Sequence, residues 1–185
     1  MPSRKAVDVC ILSSLLAFAF ASSAAAQVTA TAVPMSLSAL KPESITVTLT
    51  SSNTVTFNLV GGSADTGSII PAWTTNWNLK HSENTVMVCV FLSGALSGTN
   101  GNTDTVPMAY ILGGPGGVAP FTAITGNGCG QIGNALVIST TALTNANRKN
   151  GSKSDSVALE INDAPLVLQA DTYSGTLNIV AQATP

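Results

Sequence analysis

The chain has 185 residues, a formal net charge of −2, 9% charged side chains and 45% hydrophobic ones. Beyond Arg4 and Lys5 at the start, Arg148, Lys149 and Lys153 are its one basic grouping, so nucleic acid is not an expected partner, and neither is charge-driven attachment to an acidic membrane. Ser, Thr, Asn and Gly do the work that Glu, Lys and Arg do elsewhere, which favours strands and turns over helices.

Met1–Ala26 has the order of a secretory signal. Arg4 and Lys5 precede an apolar run from Val9 to Phe20, and Ala24-Ala25-Ala26 supplies small residues for cleavage. The run is about half of the roughly 20 residues that span a bilayer. The expected product is one domain, Gln27–Pro185, outside the cytoplasm: secreted, periplasmic or at the cell surface. It has no transmembrane anchor once the signal is removed. Cleavage discards Cys10 and leaves Cys89 and Cys129. In an oxidising compartment that pair, wide apart and without a CxxC form, predicts a structural disulfide.

The remaining chain is taken in order. Val33, Met35 and Leu37 share a parity that Thr29 and Thr31 extend, but Pro34 suits an edge strand more than a central one. Ile45, Val47 and Leu49 alternate with threonines, then Val55, Phe57 and Leu59 alternate in turn. This predicts two strands, paired as a hairpin or adjacent. Gly61–Gly67 reads as loop. Trp73, Thr75, Trp77 and Leu79 fall on one face of the next strand. Thr85–Leu92 is apolar on both faces, with Val88 among its inward candidates, and is predicted to be central. Ser93–Asp104 reads as loop or weak hairpin, Val106–Leu112 as a strand ended by Gly113–Gly117, and Ala119–Ile124 as its return. Leu136–Leu143 is the next strand, Asn145–Ser154 a polar loop, Val157–Ile161 a strand, and Leu166–Ala170 a short element. The last strand carries Tyr173, Leu177 and Ile179 inward. Trp73, Trp77, Val88, Tyr173, Leu177 and Ile179 are the candidate core. Eight to ten short strands at this spacing predict an all-β, antiparallel sandwich, with a small barrel as the alternative.

Residues that could carry chemistry form no recognisable set. His81 is the sole histidine and lacks a GxSxG partner. Gly113–Gly117 contains Pro115 and has none of the GK[ST] ending of a phosphate loop. Glu160, Asp163 and Asp171 lack the spacing of a calcium loop. Trp73, Trp77, Tyr110 and Tyr173 sit on strand positions that suit core packing more than a sugar platform. No catalytic residue, metal or cofactor is expected, and the chain is expected not to be an enzyme.

The run Ala170-Asp171-Thr172-Tyr173-Ser174-Gly175-Thr176-Leu177-Asn178-Ile179 resembles the closing strand of the spore coat U family and related pilin-like exported bacterial proteins. Trp77-Asn78-Leu79 and Ser154–Leu159 extend the likeness. The resemblance implies an immunoglobulin-like sandwich in a structural or cell-surface protein, pilus-like or coat-like, with self-association or surface proteins as partners. In chaperone–usher subunits the corresponding domain is incomplete, and an N-terminal segment of the next subunit completes its sheet. Here residues 27–40 would be that donor, or an edge strand folded back in cis. The alternative function is a carbohydrate- or protein-binding module.

Overall fold

Alternation along the chain becomes a strand only where a neighbour completes its hydrogen-bond ladder, and this decides which of the expected elements form. The computed structural model describes residues 36–62, 64–126, 129 and 135–185. The expected signal, 1–26, and the candidate donor segment as far as Met35 lie outside the described residues. Residues 36–40 carry no regular secondary structure.

The fold is all-β, with several antiparallel sheets. Twelve strands are described: β1 Ser44–Leu49, β2 Ala64–Thr66, β3 Ala72–Asn78, β4 Thr85–Leu92, β5 Leu96–Gly98 and β6 Thr105–Val106, then β7 Ile111–Pro115, β8 Thr122–Ala123, β9 Leu136–Ala142, β10 Gly151–Asn162, β11 Tyr173–Ser174 and β12 Leu177–Thr184. The largest sheet has the order β1-β3-β10-β7-β8, with β2 also paired to β10. A second sheet has the order β12-β4-β9, so the apolar strand β4 is central, and a small third sheet has the order β11-β5-β6.

The first two sheets share a core. Trp73, Ile111, Val157, Leu159 and Ile161 from the large sheet cluster with Val88, Val90 and Leu92 of β4. Half-buried Tyr173, Leu177 and Ile179 pack against that cluster. A second cluster joins Trp77, Leu79, Val86 and Leu143, with Ile45 and Ala183 beside it. Register explains the alignment of the two tryptophans. Ile45, Val47 and Leu49 of β1 stand opposite Trp77, Thr75 and Trp73 of β3, so one parity of both strands faces inward. Gly151 of β10 stands opposite Trp77, and a Cβ there would run into the indole ring. Asn150, at φ 55°, makes the sharp entry to this position.

Cys89 and Cys129 form a disulfide, with 40 residues between them in sequence. Cys89 is fully buried in β4. By the chain-entropy estimate a loop of this length stabilises the fold by about 4 kcal/mol.

Several local expectations change. No hairpin joins the two alternating runs near the start: β1 pairs with β3, and residues 54–61 form no strand. The Val106–Leu112 strand is broken by Pro107 and a 3-10 turn at Met108–Tyr110. Gly113 and Gly114 lie inside β7, and the turn falls on Gly116 and Gly117, with φ 68° and 81°. A Cβ on Gly113 would sit 2.6 Å from Leu136 Cδ2 of another sheet, and one on Gly114 would strike the Val118 carbonyl of the turn that follows. Gly151–Ser154 belongs to β10, not to a loop. Leu166–Ala170 has no regular structure, and the closing run divides at Gly175, β11 pairing with β5 and β12 with β4.

Candidate functional site

The segment that lost its ladder borders a wide opening over the core. From Thr54 to Gly61 the apolar side chains still alternate: Val55, Phe57 and Leu59 are half-buried, while Thr54, Thr56, Asn58 and Val60 are exposed. Much of its backbone is held by side chains in place of a strand. Thr56 N–H donates to Ser68 Oγ (3.1 Å), Val60 N–H to Asp65 Oδ2 (3.2 Å) and Gly61 N–H to Asp163 Oδ2 (2.9 Å). One backbone bond, Ser68 N–H to Thr56 O (2.8 Å), ties it to the chain after β2.

Between this segment and β12 runs a groove of about 1030 Å³. Leu92, Ile111, Leu159 and Ile161 lie in its lining; all four belong to the buried core cluster. Val55, Phe57 and Leu59 line it from the segment, and Leu177 and Ile179 from β12. β12 is an edge strand: β4 takes one side of it, and no described strand pairs with the other. Near the opposite end of β12, the strand approaches β1 directly. The core is therefore covered by β1 at the Trp77 end, whereas at the Ile161 end the half-buried Val55, Phe57, Leu59, Leu177 and Ile179 border a groove above the buried Leu92, Ile111, Leu159 and Ile161.

The charged groups of the groove are Asp163 and Asp171. Leu159, Ile161 and Asp163 share one parity, so Asp163 continues the inward face of β10 just beyond the strand. It is 4% exposed; Oδ2 holds Gly61, and Oδ1 is buried without a hydrogen-bond partner. Asp171 is fully engaged. Its carboxylate accepts from the N–H groups of Thr99 (3.0 Å), Asn100 (3.2 Å) and Thr172 (2.7 Å), and from the side chains of Thr99 and Asn100. Desolvation pushes the carboxyl upward, but these donors, led by the backbone of Asn100 and Thr172, outweigh it and hold the pKa at about 2. The result clips the β5–β6 hairpin to the loop before β11. Beside it, Tyr173 donates from its hydroxyl to Gln169 O, four residues upstream (2.8 Å), and accepts from Asn102 Nδ2 (2.9 Å).

The other candidates are dispersed. Trp73 and Trp77 are buried in different core clusters, and Tyr110 and Tyr173 are half-buried, so the four make no exposed platform. His81 lies exposed in a turn, with Nδ1 3.2 Å from an Arg148 Nη nitrogen. Arg148 belongs to no solvated basic patch: it is 8% exposed and donates to Glu83 O, Leu143 O and Asn145 Oδ1. Glu160, Asp163 and Asp171 do not gather as ligands, and no cluster of three potential metal ligands occurs among the described residues. No described helix is long and apolar enough to cross a membrane.

The groove had one sequence signal, the Val55-Phe57-Leu59 alternation, which looks like an ordinary strand. Its missing neighbour is a tertiary property. Arg148 had no signal at all, because a charged residue in a polar loop is ordinarily solvated. No protein-family model matches the chain, and no curated protein matches it.

Proposed function

We propose that the chain is a non-enzymatic structural subunit, exported from the cytoplasm, that assembles at a cell surface by lending its N-terminal segment to the groove of another copy. In this reading the domain is an immunoglobulin-like sandwich short of one strand. Two observations support that architecture: the two sheets share one core, and Tyr173 forms the hydrogen bond of a tyrosine corner just before the last strand.

The groove carries the functional part. Core side chains line an opening bordered by Leu177 and Ile179 of β12, a strand with one side unpaired among the described strands, and by a ladderless alternating segment. Such a gap fits an extended strand whose alternate side chains enter it and whose backbone pairs with β12. Val28–Leu40 has the alternation, and its thirteen residues would span about 43 Å when extended. The groove is bordered by ten residues, Ser52–Gly61, or about 33 Å at the same rise. Pro34 removes one N–H from the incoming ladder and leaves the rest. A donor in trans brings the whole segment to the groove.

Sedimentation of the exported protein tests the reading. Self-association is expected, and Phe57→Asp, which places a charge in the groove wall, is expected to abolish it while leaving a folded monomer. A wild-type protein that is monomeric at every concentration sinks the proposal.

A further inference from the structure

The groove has a direction. Three consecutive inward positions along its floor are Leu159, Ile161 and Asp163: apolar, apolar, acidic. The candidate donor, continued in its own inward parity past Met35, reads Leu37, Ala39, Lys41: apolar, small, basic. Both series have the two-residue period of a strand. Between Val28 and Leu40 there is no charged side chain, so Lys41 is the first cation that an inserted strand brings.

We propose that Lys41 of the incoming copy closes against Asp163 at the acidic end of the groove and so fixes the direction and register of the inserted strand. This rests on the assembly reading above. Asp163 needs such a partner: it is buried, one oxygen holds Gly61, and the other has no donor. A buried carboxylate oxygen without a donor is unfavourable, and a strand of neutral side chains over the groove would leave it so. A cation at that point supplies donors and opposite charge together. Lys41 is available for the task. It is exposed, and the ion pairs of the described residues are those of Lys80 with Glu43 and Glu83 and of Lys153 with Asp155.

Direction follows from this pairing. To bring Lys41 to Asp163, the strand must run as β10 runs, toward the Ile161 end. β12 runs the other way, from Leu177 beside Leu92 to Ala183 beside Trp77. The inserted strand is therefore antiparallel to β12, like every described strand pair in the fold. Inserted in the opposite direction, it would leave Asp163 facing an uncharged stretch.

The test is the self-association constant of the full exported protein at low and high salt. Lys41→Glu is expected to weaken association about ten-fold or more, and Lys41→Gln about ten-fold, with a flatter salt dependence. Asp163→Asn is expected to weaken it similarly, and the double variant Lys41→Gln with Asp163→Asn to be no worse than either single one. Losses that multiply in the double variant, or a Lys41→Glu protein that associates like wild type, overturn the pairing. If Asp163→Asn fails a melting check, the Lys41 variants and their salt dependence decide alone. A wild type that associates through a Phe57-dependent contact but ignores Lys41 overturns only this inference. A wild type that never associates overturns the assembly reading as well.

Discussion

The two ends of the core are built from similar residues and finished differently. At the Trp77 end, Leu79, Val86 and Leu143 close around the indole, whose Nε1 donates to Asn147 O (2.9 Å). Arg148 seals the neighbouring loops by satisfying the carbonyls of Glu83 and Leu143. At the Ile161 end, equally apolar side chains line a groove, the bordering segment has no ladder, and a buried carboxylate oxygen has no donor. One end satisfies itself from within its own chain. The other leaves half-buried apolar side chains, a strand with one side unpartnered among the described strands and a carboxylate oxygen without a donor, and the proposed assembly rests on that combination.

The contrast can be broken from either side. The largest effect is expected at the closed end: Trp77→Ala should cost about 3–5 kcal/mol of stability in denaturant unfolding, because the cavity there cannot collapse. Next comes Arg148→Met, expected to cost about 2–3 kcal/mol by stranding the Glu83 and Leu143 carbonyls. A melting temperature equal to wild type would show that the seal is dispensable. At the open end Phe57→Asp should lower monomer stability by only about 1 kcal/mol, since Phe57 is half-buried and faces the groove, yet abolish assembly. The smallest effect is confined to acid. The carboxyl of Asp171 has a folded pKa of about 2 against an ordinary 3.8. Its stabilising contribution is therefore complete above 3.8 and is lost as pH falls toward 2. Thermal melts of Asp171→Asn should lose that part of the wild-type pH dependence between about pH 4 and 2; an unchanged acid profile would detach the clip from stability.

Much of the closed end was legible in the sequence, and little of the open end was. Trp73, Thr75, Trp77 and Leu79 declare their face by period, and β4 declares its central place by being apolar on both sides. The Cys89–Cys129 bridge followed from counting the cysteines that lie after the expected signal. Val55, Phe57 and Leu59 declare a face equally well. Alternation reports which way side chains point, however, and says nothing about whether a neighbouring backbone is present. Gly113 looked like a strand terminator because a local reading cannot see Leu136 pressing from another sheet. Arg148 and Asp163 share the same difficulty. Their burial is set by distant carbonyls and by Gly61, far away along the chain.

Whether residues 28–40 fill the groove of another copy is read from amide hydrogen exchange of the chain from Gln27 onward, measured across a range of concentrations. Residues 28–40 and the outer edge of β12 are expected to gain protection together as concentration rises and copies associate. Residues 28–40 exchanging at free-chain rates at every concentration, or protected to the same degree in a dilute monomer, would contradict it.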